Sequence, residues 1–364
     1  MRICRVGKII VPLSLELGPV MLDIAGTELT QIDIDRLSHP LVGGVILFTR
    51  NYLNVEQLSQ LTQHIHALRT PPLLIAVDHE GGRVQRFIQG FTKLPAMREL
   101  GLIWNQQPEL ARHLAFQVGY VLAAELNACG IDFSFTPVLD IDHGTSSVIG
   151  DRAFHDDPDV VTNLAQCITQ GLKKGGMPAV AKHFPGHGYI QADSHLQACV
   201  DDRPLDDIDK IDLVPFRRMV DYGVSGIMVA HVIFPKVDQK PAGFSTVWLQ
   251  QVLRTELQFD GCIFTDDLSM RGAEVDYCET MLQRAQAALS AGCDMILVCN
   301  NSDGVDEVLQ ALQWDMPVAS RSRLARMHAE RLTDSMLKLR EQKDYMQAVD
   351  EIDSIKNRNK EFLF

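Results

Sequence analysis

Short apolar runs recur along the chain, at residues 19–23, 43–48, 73–78, 133–140, 179–183, 226–231, 261–266 and 295–300. Continuous rather than alternating apolarity is the pattern of strands covered on both faces. Between the runs, apolar residues fall three and four apart over 27–37, 55–68, 108–128, 156–174, 205–222, 245–257 and 274–291. That is the period of helices with one buried face. Thr27, Asn54 and Ser245 stand where N-caps belong, and Gly130, Gly175, Gly223 and Gly292 follow the last turns. Strands alternating with helices give a parallel sheet, and eight such units predict a single-domain α/β fold, a (β/α)8 TIM barrel. An open, doubly wound dinucleotide-binding sheet would need a glycine-rich turn after its first strand, but the sequence there is Asp23-Ile24-Ala25-Gly26.

The polar residues that end these runs are Asp23, Arg50 just past Phe48, Asp78, Asp140, Lys182 with His183, His231, Asp266 with Asp267, and Asn300. In a barrel of this kind the C-terminal strand ends form the mouth of the site, so these groups are expected to face one rim. The expected organisation is an N-terminal extension over 1–17, a barrel with a C-terminal helix over 18–345, and a tail over 346–364. Arg2, Arg5 and Lys8 precede a short apolar run, but Glu16 and Gly18-Pro19 follow it without a small-residue cleavage pattern. The segment 1–17 is therefore expected to be a dispensable extension. No run is long enough for a membrane helix.

Composition narrows the partners. A formal net charge of -13 speaks against a nucleic-acid surface. None of the eight cysteines forms a CxxC pair and several lie in apolar runs, which points to reduced thiols and a cytoplasmic location. No cofactor or metal is expected, and the chain is expected to act as a monomer.

The densest chemistry lies in Lys182-His183-Phe184-Pro185-Gly186-His187-Gly188, continuing to Asp193-Ser194-His195. Pro185, Gly186 and Gly188 break regular structure, so the segment reads as a loop leaving a strand end. Imidazoles there suit proton transfer near neutrality. His183 and His187 have the spacing of a helical zinc motif, but Pro185 and Gly186 lie between them and no Glu follows His183. Asp78-His79-Glu80-Gly81-Gly82-Arg83-Val84-Gln85-Arg86 forms a second polar turn, rich in groups that grip vicinal hydroxyls.

These two stretches, with Phe264-Thr265-Asp266-Asp267-Leu268-Ser269-Met270, resemble family 3 glycoside hydrolases, and most closely the bacterial cytoplasmic β-N-acetylhexosaminidases of peptidoglycan recycling. The resemblance runs from about Leu17 to Leu312. Two positions depart from the pattern: His79 stands where Gln is more frequent, and Thr265 where Ser is. The resemblance implies a retaining mechanism with Asp266 as nucleophile, His195 as acid/base and Asp193 orienting it. It implies that Asp78, Arg86, Arg152, Lys182 and His183 bind the sugar. The implied substrate is a muropeptide fragment, N-acetylglucosaminyl-anhydro-muramic acid with or without its stem peptide. A β-N-acetylglucosaminide phosphorylase or another family 3 β-glycosidase is the alternative. A non-catalytic sugar-binding barrel and a metal-dependent hydrolase fit the residues less well.

Overall fold

The computed structural model of the protein describes residues 13–190, 199–275, 278–333 and 335–362, with side chains as far as Ile355 at the C-terminal end. Eight strands follow in chain order: β1 Val20–Asp23, β2 Val42–Leu47, β3 Leu74–Val77, β4 Phe133–Ser134, β5 Val180–Phe184, β6 Gly226–Val229, β7 Cys262–Asp267 and β8 Met295–Val298. Neighbours pair in parallel, and β8 returns to β1 with Ile296 beside Val20. Between β4 and β5 there is no regular ladder. Pro137 has no N–H to give, and the run 133–140, expected to be one strand, is regular only over its first two residues. The ring closes through a single bridge between Val138 and Lys182. Around it, Val180 N–H donates to Thr136 O at 2.9 Å, Lys182 N–H to Pro137 O at 3.1 Å and Leu139 N–H to Lys182 O at 2.6 Å. The predicted TIM barrel is the observed fold.

The surrounding helices are α1 Gln31–Leu37, α2 Val55–His66, α3 Met97–Trp104, α4 Pro108–Ala128, α5 Pro158–Lys174, α6 Leu205–Lys210, α7 Leu213–Tyr222, α8 Met281–Ala291 and α9 Ser302–Ala311. Several differ from expectation for local reasons. The first is capped by Thr30 rather than Thr27, because Thr30 and Asp33 form a reciprocal capping box. The helix expected over 274–291 starts after Thr280, which makes the same box with Gln283. The helix expected over 205–222 breaks at Ile211-Asp212, where the buried Asp212 carboxylate accepts bonds from Arg203 and His143. Between β6 and β7 the chain winds as a wider π-helix over Val247–Glu256. Gly223 (φ 88°) and Gly292 (φ 119°) end their helices in the left-handed region, as their positions suggested.

After α9 come α10 Val318–Ala325, α11 Met336–Leu339 and α12 Lys343–Phe362. The last of these buries Tyr345, Ala348, Ile352 and Ile355 and packs on α3 and α4. Tyr345 Oη donates to the buried Glu125 Oε1 at 2.6 Å. Among the described residues no helix is long and apolar enough to cross a membrane.

Phe133, Phe135 and Phe264 meet in the core with ring centroids 5.3–5.5 Å apart, and all three are fully buried. Truncating Phe133 to Ala leaves a cavity that a closed ring of strands cannot collapse. The expected loss is about 3–5 kcal/mol of unfolding free energy by chemical denaturation.

Candidate active site

The strand ends converge as the barrel requires. A cavity of about 300 Å³ opens at the C-terminal face, lined among others by Asp78, Glu80, Arg86, Arg152, Lys182, His183, His187 and Asp266. Six of the residues singled out in the sequence (Asp78, Arg86, Arg152, Lys182, His183 and Asp266) therefore share one cavity. Asp193 and His195 lie outside the described residues.

Lys182 ends inside the barrel mouth with its side chain 2% exposed. Its Nζ donates to Asp78 Oδ1 at 2.7 Å and lies 2.6 Å from Glu80 Oε1. Burial works against the ammonium charge, but the Asp78 and Glu80 carboxylates outweigh it and raise the Lys182 pKa. Glu80 also takes a two-pronged contact from Arg152, Nε to Oε2 and Nη2 to Oε1, both at 2.8 Å. Burial of Glu80 disfavours its charge, yet Arg152 and Lys182 together hold its carboxyl far below the usual range. Arg86 stands 3.7 Å from the second Asp78 oxygen, Oδ2. Glu80 thus ties a residue after β3, one in β5 and one in the turn Gly150–Arg152 into a single network.

His183 follows Lys182 through a cis peptide. Its Nδ1–H donates to Asp140 Oδ2 at 2.6 Å, and the other Asp140 oxygen accepts the His187 backbone N–H at 2.7 Å. The Asp140 carboxyl is fully buried; burial pushes its pKa up, but His183 and the other donors bring it below the ordinary value. Nε2 of His183 is left toward the cavity, 3.5 Å from Arg152 Nη2.

Asp266 sits at the end of β7 and is half-buried. Its Oδ1 accepts the Asp267 N–H at 2.8 Å. Burial raises its pKa, but His183, His231, that N–H and Lys182 together carry it below the ordinary value, so the carboxylate is ionised at neutral pH. The neighbouring Asp267 turns away between β7 and β8, where Ser269 N–H, Ser269 Oγ and Cys299 N–H occupy its oxygens. Burial pushes its pKa up to about 6. His231 is fully buried beneath the pair, with Nε2–H donating to Asp267 O at 3.1 Å, and burial lowers its pKa.

The two departures from the family pattern sit behind the lining. His79 packs against Phe87 and Phe91, and burial lowers its pKa to about 3, so it is an uncharged ring. Thr265 Oγ1 accepts the Leu297 N–H at 3.0 Å, a role a serine hydroxyl fills equally. Glu80 and Asp140 were not among the residues assigned a site role from the sequence. Both were visible, Asp140 as a carboxylate ending an apolar run and Glu80 two residues past another. Asp23, Arg50 and Asn300 form a separate ion-paired group on the rim, with Arg50 Nη1 donating to Asn300 Oδ1 at 2.8 Å. Among the described residues no group of three or more His, Cys, Asp or Glu could hold a metal ion.

A barrel with an ionised carboxylate facing a small, densely polar cavity is the build of a sugar-cleaving enzyme. The pattern of the glycosyl hydrolase family 3 N-terminal domain matches residues 20–327, and the chain belongs to that family. It is 59% identical over 347 residues to a beta-hexosaminidase of Nitrosospira multiformis, covering 95% of this chain and 99% of the relative. A beta-hexosaminidase of Methylobacillus flagellatus is also 59% identical, over 339 residues, with 93% and 97% covered. The solved structure of NagZ from Neisseria gonorrhoeae in complex with N-trifluoroacetyl-D-glucosamine superposes with a TM-score of 0.90 at 47% identity, over 95% of this chain and 99% of that one. A family 3 beta-N-acetylglucosaminidase from Paenibacillus sp. str. FPU-7 gives 0.80 at 29% identity, over 93% of this chain and 67% of that one.

Glu80 carries a test of this network. Its depressed carboxyl contributes stability that is full above the unfolded value near 4.5 and is lost as pH falls below it. Glu80→Gln should therefore flatten the loss of stability on acidification, read from unfolding midpoints across pH. It should also lower kcat/KM on an aryl β-N-acetylglucosaminide by about 100-fold, because Lys182 and Arg152 lose the charge that places them.

Proposed function

We propose that the protein is a retaining exo-β-N-acetylglucosaminidase that releases terminal β-linked N-acetylglucosamine from peptidoglycan fragments in the cytoplasm. The chain is a glycoside hydrolase of the β-hexosaminidase type, and its relatives carry that name over nearly their whole length. The observation that carries the finer reading is Asp266, an ionised carboxylate facing the cavity while its neighbours are engaged elsewhere. Asp78 and Glu80 are held by Lys182, and Glu80 also by Arg152, so neither is placed to deliver a proton. A retaining enzyme needs a nucleophile and a separate acid/base. Asp266 fits the first role, and the second falls to His195, with Asp193 orienting it. A cavity of about 300 Å³ suits a single sugar ring, which favours removal of one terminal residue.

Five further lining groups have a task in this scheme. Asp78 accepts from and Arg86 donates to neighbouring hydroxyls; Lys182 and Arg152 supply donors deeper in the cavity, and His183 offers Nε2 as an acceptor. Positive charge at Lys182 also steadies the Asp266 carboxylate before it attacks the anomeric carbon. The carboxylate forms a bond to that carbon as the leaving oxygen takes a proton, and water later releases the sugar with the proton returned. Among the described residues Cys129, Cys167, Cys262, Cys278, Cys293 and Cys299 carry free thiols, in keeping with a reducing compartment.

Covalent trapping tests the nucleophile. An activated 5-fluoro β-N-acetylglucosaminide should release its aryl group and leave a sugar adduct on the peptide containing Asp266, found by mass. Turnover without an adduct would point to an inverting or substrate-assisted route. Asp266→Asn should lower kcat by about 10⁴-fold with the fold intact by circular dichroism. His195→Ala should slow an alkyl glycoside about 100-fold more than a 4-nitrophenyl one, since only the poor leaving group needs the proton.

A further inference from the structure

Segment 191–198 is entered through Tyr189 and Ile190 and left through Cys199 and Val200. On the entering side Gly186 lies against Asp212, where an added Cβ would sit 2.9 Å from the Asp212 Cβ. Gly188 lies against the Ile141 carbonyl, whose oxygen is 1.8 Å from where a Cβ would be, so no other residue fits there. The Thr145 hydroxyl donates to Tyr189 O at 2.8 Å. On the leaving side Cys199 and Val200 pair in parallel with Val232 and Ile233, and Asp201 N–H donates to Ile233 O at 2.9 Å.

Arg203 then brings the two stems together. Its Nε and Nη2 meet the fully buried Asp201 at 3.0 and 2.7 Å, and its Nη1 meets the equally buried Asp212 at 2.8 Å. His143 Nε2 takes the other Asp212 oxygen at 2.9 Å. With its edges committed to two aspartates, the guanidinium offers a flat face, and the Tyr189 ring covers it with the Arg203 Cζ 4.0 Å from the ring centroid. The His143 ring meets the edge of the Tyr189 ring with centroids 5.5 Å apart. A guanidinium fixed by two buried carboxylates is a rigid platform. Tyr189, 41% exposed, extends that platform to the entering stem, beside the contact of Gly186 with Asp212.

From this geometry we infer that Arg203 and Tyr189 are positioning residues for proton transfer. Their stack joins the described residues on either side of the segment that carries Asp193 and His195, Tyr189 before it and Arg203 after it. The inference rests on the assignment of His195 as acid/base. Neither residue touches the sugar in this scheme, so their effect should appear only in the step that needs the proton.

The test compares Tyr189→Ala, Tyr189→Phe and His195→Ala on an alkyl and a 4-nitrophenyl β-N-acetylglucosaminide. Tyr189→Ala should lower kcat/KM for the alkyl substrate about tenfold or more and for the activated one less than about threefold. Tyr189→Phe, which keeps the ring, should restore both. Hydrogen exchange of peptides over 186–190 and 199–203 should quicken in Tyr189→Ala, with the thermal midpoint little changed. Equal losses on both substrates, no loss on either, or unchanged exchange would overturn the inference. If His195→Ala discriminates between the substrates and Tyr189→Ala does not, positioning fails alone. If His195→Ala does not discriminate, the acid/base assignment fails and takes the catalytic part of the inference with it.

Discussion

The contact between Glu80 and Lys182, 2.6 Å long and closed to solvent on both sides, is the constraint on which the site depends. Neither charge could be buried alone, since an isolated ion in the barrel mouth would lose far more hydration than packing returns. Together they set a distance between the loop after β3 and the strand β5. Arg152 then adds a third segment through its two-pronged hold on the same carboxylate. Asp78 completes the set by sharing Lys182. The donors that face the cavity are thus placed by one another before any ligand arrives, which is the preorganisation that a polar transition state rewards.

The carboxylates around the mouth divide into two kinds by what surrounds them. Asp78, Glu80 and Asp140 each have a cation or imidazole in direct contact, and their negative charge is spent on holding the frame. Asp266 has cationic and imidazole neighbours at longer range and one backbone N–H, enough to keep it ionised without covering it. Its chain neighbour Asp267 looks similar in sequence but faces the β7–β8 seam, where three donors from Ser269 and Cys299 take its oxygens. Two adjacent aspartates on a strand point to opposite sides, and that alternation alone separates the carboxylate facing the cavity from the one held in the seam.

The barrel was legible because its runs are short, continuously apolar and evenly spaced, and because polar groups collect at one end of them. Asp78, Lys182, His183 and Asp266 follow from that rule, while Arg86 and Arg152 came through the family resemblance. Glu80 and Asp140 were in plain sight, but a carboxylate that binds sugar and one that binds Lys182 or His183 read alike in one dimension. Helix boundaries shifted where a side chain had a better use than helix, as at Asp212, which leaves the expected helix over 205–222 to take up Arg203. The run 133–140 failed as a strand because Pro137 cannot donate. The π-helical turns of Val247–Glu256 have no distinct periodicity that could have announced them.

That failed strand has a further consequence. The barrel is joined between β4 and β5 by one bridge and a few backbone bonds, and Lys182 is itself the residue on the β5 side of that bridge. Its main chain closes the ring while its side chain organises the cavity. Closure and competence are therefore the same event, and a chain that has formed seven good seams but not the eighth would hold Lys182 away from Glu80. Catalytic activity is then more than a measure of chemistry in this protein. It also reports whether the seam between β4 and β5 has shut.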